Sequence, residues 1–169
     1  MYGCPSCGYE GMLHRHGHYD RNAVTFHKHF IISIQRFLCP SCGKTYSILP
    51  SFLIPYFIYT FDVIVFCIYS TLKLRKTSTV LCYELRNLNK QSFISAQSIC
   101  FFKKRFLSKL HLLNYFFAGI GSFHYDSDLC ALSEDMAASV LITKILSFEN
   151  PSSFNYEYFR YMPKYFLSP

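Results

Sequence analysis

Cys4-Pro5-Ser6-Cys7-Gly8 and Cys39-Pro40-Ser41-Cys42-Gly43 are two copies of one pentapeptide. A Cys-x-x-Cys turn directs two thiolates to one point, and two such turns complete the tetrahedral shell of a structural zinc ion. The glycine that closes each copy can adopt the positive φ with which such a turn ends. The sequence therefore predicts one Zn²⁺ in a small β module. Because cysteines fill the whole shell, the ion is expected to be structural, with the ligands Cys4, Cys7, Cys39 and Cys42.

The same cysteines fit two other kinds of site. Cys-x-x-Cys is also a redox motif, but there it opens a helix, and no helical pattern follows either copy. Paired disulfides suit a secreted domain, whereas the start Met1-Tyr2-Gly3-Cys4 leaves no room for a signal peptide. The observations favour zinc over both alternatives.

Length and cysteine content limit the kind of protein this is. A chain of 169 residues suits one domain or two small ones. Residues 1–49 are too few to bury a large core, so a metal would stabilise them, with an apparent binding free energy of about 10–16 kcal/mol. The remaining cysteines are interpreted as small buried hydrophobes of an intracellular protein, which predicts a cytoplasmic location; they are Cys67, Cys82, Cys100 and Cys130.

The positive charge is unevenly distributed. The net charge is +7, and residues 51–117 carry nine Lys and Arg against two acids, whereas residues 118–169 carry three against six. A basic segment of this kind is typical of a protein that binds nucleic acid, although a basic surface can also serve solubility alone.

The hydrophobic pattern changes from a strand period to a helix period near residue 56. Alternation from Val24 to Leu38 predicts one long strand, with an earlier strand at residues 12–19. Spacing by three and four predicts helices at 56–72 and 79–88 and from Ser92 or Ser95 to residue 117, with another at 133–146. This order predicts an α+β fold with a zinc ribbon (1–49), a connector framed by prolines (50–56), a trihelical helix-turn-helix-like domain (57–117) and a C-terminal helix with an irregular tail (118–169).

The apolar stretch 52–72 also fits a membrane anchor. It is about as long as a membrane span and is followed by Lys73, Arg75 and Lys76. Asp62 near its centre and Pro55 near its start argue against a span. A small membrane-anchored zinc protein therefore stays the less favoured alternative.

Candidate DNA contacts lie in and before the third predicted helix. Ser95, Gln97 and Ser98 would present short polar side chains to base edges, and the cations would bind phosphates. A solvated basic helix face is the simpler interpretation of the same residues. The expected partner is double-stranded DNA, with a second copy of the chain or a transposase as further partners, and the phosphate candidates are Lys73, Arg75, Lys76, Lys103, Lys104 and Arg105.

Two clusters do not predict catalysis. The acids Asp126, Asp128, Glu134 and Asp135 resemble a helix start and its preceding loop, whereas a two-metal site gathers carboxylates on a larger α/β core. No phosphate loop or nucleophile elbow occurs, so we expect a non-catalytic protein without a small-molecule substrate. The histidines fit a second metal site less well than an exposed surface near phosphate; they are His14, His16, His18, His27 and His29.

Three segments together carry a family resemblance. They are Cys4-Pro5-x-Cys7-Gly8, then Arg36-x-x-Cys39-Pro40-x-Cys42, and Thr45-Tyr46-Ser47-x-Leu49-Pro50-x-Phe52-Leu53-x-Pro55-Tyr56. The chain resembles the zinc-ribbon plus helix-turn-helix proteins of bacterial mobile elements, including transposase-associated proteins and the N-terminal regions of insertion-sequence transposases. The resemblance implies the same four zinc ligands and a recognition helix from Ser95 to Leu107.

The sequence departs from that family in one respect. Related recognition helices often carry Trp where this chain has Phe101 or Phe102, and this chain has no Trp. Because a catalytic core is missing, the resemblance implies an accessory or truncated protein of such an element. The alternative function is a protein-interaction module, which burial of Lys103 to Arg105 against the protein's own tail would favour.

Overall fold

The computed structural model describes residues 3–90, 93–120 and 133–162, together with Leu167. Within these residues a three-stranded antiparallel sheet comes first and helices follow, which confirms the predicted α+β class. The sheet has the strand order β1-β2-β3, with β1 at His14–Val24, β2 at His29–Leu38 and β3 at Thr45–Ser47. The described helices are α1 (Phe61–Leu72), α2 (Ser78–Leu88), α3 (Ala96–Leu107), α4 (Leu110–Gly119), α5 (Glu134–Leu146) and α6 (Pro151–Tyr161).

Strands β1 and β2 form a hairpin where the sequence predicts one strand from Val24 to Leu38. The chain reverses at Thr25, whose Oγ1 accepts hydrogen bonds from the backbone N–H groups of His27 at 3.3 Å and Lys28 at 3.1 Å. A threonine side chain of this kind replaces backbone pairing in a turn. The alternation continues unchanged through the turn, so the period alone does not reveal it.

Helix α1 starts at Phe61, five residues later than the sequence predicts. The preceding residues are extended because they pair with the end of β1: the Val24 N–H donates to the Ile58 carbonyl at 2.8 Å, and the Thr60 N–H donates to the Val24 carbonyl at 3.0 Å. Tertiary hydrogen bonds thus override the local helical pattern.

Helix α1 is the centre of the helical core. It packs against α2, α3, α5 and α6, and eight of its residues are buried. A helix that is apolar on nearly all sides suits such a central position, which accounts for the apolar stretch before Lys73. Among the described residues, no helix has both the length and the apolar character needed to cross a membrane.

The long third helix of the sequence prediction is two helices. Helix α3 ends at Leu107 and α4 begins at Leu110, with the Ser108 Oγ donating to the Arg105 carbonyl at 2.8 Å. This side-chain bond competes with the helical backbone pattern. The apolar period continues because both helices bury the same side, through Phe106, Leu113, Phe116 and Phe117.

The C-terminal region contributes two helices to the core. Helix α5 lies where the sequence predicts it, but α6 occupies part of the predicted irregular tail. Asn150 caps α6 by accepting from the Ser153 N–H at 2.8 Å, and Pro151 follows in the first turn. The buried Asn155 amide donates to the Ser51 carbonyl at 2.6 Å, which fixes α6 against the connector. The predicted domain boundaries at residues 49, 56 and 117 stay predictions.

Candidate functional site

The two pentapeptides fold into the same turn, and we call each turn a cysteine knuckle: knuckle 1 is 4–8 and knuckle 2 is 39–43. In each, the closing glycine N–H donates to the carbonyl of the first cysteine at 3.0 Å. Gly8 has φ +70° and Gly43 has φ +68°, so both occupy the left-handed region that favours glycine. The sequence repeat is therefore a structural repeat.

The sheet places the knuckles side by side. Knuckle 2 connects β2 to β3, and knuckle 1 precedes β1. The Lys44 Nζ donates to the Ser6 Oγ at 2.6 Å and so joins one knuckle to the other. Since β1 and β2 pair along the hairpin, residues far apart in sequence meet at its open end.

The four cysteine sulfurs have the geometry of a tetrahedral metal site. The Sγ atoms of Cys4 and Cys42 lie 3.7 Å apart, as do those of Cys7 and Cys39, and all four lie within 4.8 Å of one another. A tetrahedral zinc with Zn–S bonds of about 2.3 Å places its ligands roughly 3.8 Å apart, whereas a disulfide bond measures about 2.05 Å. The four cysteines therefore can hold a metal ion, and the distances do not fit disulfides.

The surroundings hold the ligands in place. Cys4 and Cys39 are buried, Cys42 is partly buried and Cys7 is exposed. Leu13 completes a small apolar cluster with the two buried cysteines. The Tyr46 hydroxyl of β3 lies 3.3 Å from the Cys4 Sγ and is a polar partner of the site from outside the knuckles.

The pKa values of the two buried thiols move in opposite directions. Burial raises the pKa of Cys39 to about 11, although backbone N–H groups of its own knuckle oppose this. Burial favours a higher pKa at Cys4 as well. Hydrogen bonds from Tyr46 and from the backbone of Ser6 and Cys7 outweigh burial and lower the pKa of Cys4 to about 6. The same contact with Cys4 raises the pKa of Tyr46 to about 12. A coordinated divalent cation keeps all its cysteine ligands as thiolates.

The other cysteines only partly follow the prediction that they are buried. Cys67 and Cys82 are buried, and burial raises the pKa of Cys67 to about 12. Cys100 is exposed, with its Sγ 3.4 Å from the Ser78 Oγ. Cys130, like Asp126 and Asp128, lies outside the described residues.

The described histidines of the hairpin form no second metal site. All five side chains are exposed. Within the described ranges, the four knuckle cysteines are the one group of metal-binding side chains close enough to share an ion. The His29 Nε2 instead lies 2.9 Å from the Asn22 Oδ1.

Helices α2 and α3 form a helix pair with the polar candidates at the start of α3. Ser95 caps α3, since its Oγ accepts from the Ser98 N–H at 3.1 Å. The Ser98 hydroxyl lies 2.9 Å from the Ser95 hydroxyl, so both groups are engaged within the cap. Gln97 is exposed. Ser95 and Ser98 therefore form hydrogen bonds at the helix cap, whereas the Gln97 side chain is at the surface.

Most of the candidate cations contact other parts of the protein. Asp135, at the start of α5, pairs with Arg75 at 3.3 Å and with Lys103 at 3.4 Å. The charge of Lys103, and after it Arg75, holds the pKa of the Asp135 carboxyl below its usual range, although burial opposes this. The Lys76 Nζ lies 2.7 Å from Glu84.

The remaining cations divide between the tail and the surface. The Arg105 Nε donates to the Leu167 carbonyl at 3.2 Å. Lys73 and Lys104 are exposed and form no ion pair within the described part of the chain. Sequence reasoning identified Asp135 only as an acid at a helix start, because no sequence signal shows which cations it meets.

Comparison with protein families gives a match to the N-terminal part of the chain. A family model described as a domain of unknown function (DUF6431) matches residues 4–80. The matched span contains both knuckles, the sheet, α1 and the start of α2, whereas α3 and its candidate DNA contacts lie beyond it. Comparisons with curated proteins and with solved structures gave no match.

Proposed function

We propose that this chain is a zinc-stabilised, non-catalytic, cytoplasmic DNA-binding protein, related to the transposase-associated proteins that its sequence resembles. The observation that carries the proposal is the exposed face of α3. Gln97, Phe101 and Lys104 are exposed at a spacing of four and three, while Ile99, Phe102 and Phe106 are buried on the opposite side. A helix docked in this way presents one continuous face to a partner.

The exposed face has the chemistry that a major-groove helix uses. A glutamine amide can bond the N6 and N7 edge of adenine, and a phenylalanine ring can contact the thymine methyl group. Lys104, about two helical turns after Gln97, is placed to bind a phosphate. Lys73, Arg86 and Lys90 add exposed positive charge on the neighbouring segments.

Zinc is the ion we propose for the knuckles. Four thiolates in a tetrahedral arrangement suit zinc, and no ligand position is left for substrate or water. The ion would connect the chain before β1 to the β2–β3 turn, where the small cluster around Leu13 provides little apolar burial. Its role would be structural.

Hydrogen bonds connect the hairpin to the connector and to α2, so stabilisation of the hairpin by a metal would also stabilise these segments. Arg21 of β1 donates to the Ile54 carbonyl and, at 2.7 Å, to the Phe57 carbonyl. The Asn89 amide at the end of α2 donates to the Thr25 carbonyl at 3.2 Å. Loss of the metal is therefore expected to loosen the connector and the position of α2 together.

A protein-interaction module is the second candidate, because one observation favours it. Lys103 pairs with Asp135, and Arg105 bonds the Leu167 carbonyl, so two of the three adjacent cations of α3 contact the C-terminal part of the protein. Lys104 and the exposed Phe101 stay available to either kind of partner.

Binding to duplex DNA at several salt concentrations separates the two candidates. If about six phosphates are contacted, log K should fall against log salt with a slope near −5, and Lys104→Ala should make the slope shallower by about 1. Arg160→Ala is the matched control, since it removes the same charge from α6, which carries none of the candidate contacts. Absent or salt-independent binding, or an equal effect of the control, would contradict DNA binding by α3.

A further inference from the structure

A cavity of about 640 Å³ lies between the connector and α3. Its floor is aromatic: the ring centroids of Phe57 and Phe102 lie 5.7 Å apart, and those of Tyr59 and Phe102 lie 6.1 Å apart. This volume is within the range of small-molecule sites, which is about 300–1,000 Å³. Phe57 and Tyr59 are not among the residues that the sequence predicts to bind a partner.

The rim of the cavity exposes aromatic rings to solvent. Tyr56 is 86% exposed, Phe93 is 85% exposed and Phe101 is 52% exposed. Tyr56 also has φ +71°, a left-handed conformation that is unusual for a bulky residue and is found preferentially at functional sites. Rings this exposed gain free energy when a flat apolar partner covers them.

The rim tyrosine borders a second cavity on the side of the sheet. This neighbour has a volume of about 460 Å³ and includes Tyr19, Arg21 and Ser47 in its lining. Because Tyr56, Phe57 and Ile58 line both cavities, the two cavities adjoin at these residues. We call the two adjoining cavities together the aromatic groove.

The polar groups of the aromatic groove indicate the class of ligand. Gln97 and Ser98 line it from α3, and Arg105 lines it from the same helix. The Arg105 Nη2 is buried and has no hydrogen-bond partner among the described residues. A groove lined by a guanidinium favours a ligand that carries carbonyl or anionic oxygens.

We propose that the aromatic groove binds unpaired bases of single-stranded DNA beside the duplex that α3 contacts. The inference extends the proposed DNA-binding function and rests on it. Bases stack on exposed aromatic rings such as those of Tyr56 and Phe93 regardless of sequence, and base edges offer acceptors to a guanidinium. The basic character of residues 51–117 suits a nucleic acid better than an apolar peptide.

The test compares three fluorescent oligonucleotides: a blunt duplex, the same duplex with a single-stranded overhang, and the single strand alone. Anisotropy should show tighter binding of the overhang than of the blunt duplex, by roughly 5- to 150-fold for one stacked base. Tyr56→Ala and Phe93→Ala should remove this advantage and leave blunt-duplex affinity unchanged. 2-Aminopurine in the overhang should lose fluorescence when it stacks on the wild-type protein.

Tyr83→Ala is the matched control, because Tyr83 is 70% exposed on α2 and does not line the groove. Equal affinity for blunt and overhanging duplexes, or an equal effect of the control, overturns this inference and leaves duplex binding standing. Binding of the single strand without the duplex supports the groove and contradicts the function proposed for α3. If an apolar peptide binds and no oligonucleotide does, both proposals fall.

Discussion

The Lys103 Nζ lies 3.4 Å from the Asp135 Oδ1, so the first turn of α5 neutralises a cation of α3. The same carboxylate pairs with Arg75 at 3.3 Å through its other oxygen. A phosphate that approaches either cation must compete with Asp135. Helix α5 thereby reduces the positive charge that the candidate DNA surface presents.

Asp135→Asn is therefore expected to increase affinity for duplex DNA. Since an exposed ion pair contributes about 0.2–1 kcal/mol, the gain should be about 1.4- to fivefold, largest at low salt. Anisotropy titrations measure it. Glu149→Gln removes one exposed acid outside this cluster and serves as the control. An unchanged affinity, or the same gain in the control, would show that Asp135 does not compete with DNA.

A second prediction concerns Asp62, which is half-buried in the first turn of α1. Burial raises its pKa above the usual 3.8, and a hydrogen bond from Ser152 only partly opposes this. A raised folded-state pKa means that the charged carboxylate costs stability at neutral pH, and the cost disappears as the pH falls through that pKa. Asp62→Asn should thus be more stable than the wild type at neutral pH, with a difference that shrinks towards pH 4.

Urea unfolding of the wild type and of Asp62→Asn from pH 7 to pH 4 measures the difference in the free energy of unfolding. Protonation of the cysteine ligands in acid affects both proteins equally, so it does not contribute to this difference. Asp20→Asn, which replaces an exposed acid of β1, is the control. Parallel pH profiles of wild type and Asp62→Asn would mean that the positive end of the α1 dipole offsets the effect of burial.

Tyr46 is expected to tune the metal site through its hydroxyl, which lies 3.3 Å from the Cys4 Sγ. Tyr46→Phe keeps the ring and removes this hydrogen bond, so metal affinity should fall by about 10- to 100-fold while the fold is retained. Competition with a chromophoric chelator gives the affinity. Tyr9→Phe is matched, because Tyr9 packs on the same apolar cluster. A loss as large in Tyr9→Phe would show that the effect is not specific to the hydrogen bond between Tyr46 and Cys4.

The caps of α5 and α6 offer a paired stability test. Asn150 accepts a hydrogen bond from the Ser153 N–H, whereas Ser133 makes no side-chain cap bond at the start of α5. Asn150→Ala should lower the free energy of unfolding by about 1 kcal/mol, and Ser133→Ala should change it much less. Denaturant unfolding distinguishes them. Equal losses would mean that the two caps do not differ as the structure shows.

The parts of the fold that local patterns encode were predictable. The knuckles repeat one pentapeptide, and their four sulfurs converge as the spacing predicts. Asn150-Pro151 is a typical helix start, but the aromatic-rich residues after it have no clear helical period, so the sequence does not predict α6. The turn at Thr25 and the late start of α1 were not predictable, because a side-chain turn and pairing with Val24 act without changing the hydrophobic period.

Of the candidate sites, the metal site is predictable from the sequence, whereas the ion pairs of Asp135 and the aromatic groove are not. Metal ligands are set by residue type and spacing, so the sequence alone is sufficient to predict them. The pairing of Asp135 with Arg75 and Lys103 joins residues from three separate segments, and the aromatic groove joins the connector to α3. Contacts of this kind depend on tertiary packing, which one sequence does not reveal.

The zinc content of the purified protein, measured by inductively coupled plasma mass spectrometry, tests the proposed metal site directly. We expect one zinc per wild-type chain, none in Cys39→Ser, and one in Cys100→Ser, which removes an exposed cysteine outside the cluster. A wild-type protein that folds without zinc and gains none when zinc is added, or a Cys39→Ser variant that retains its zinc fully, would show that the four cysteines do not form a zinc site.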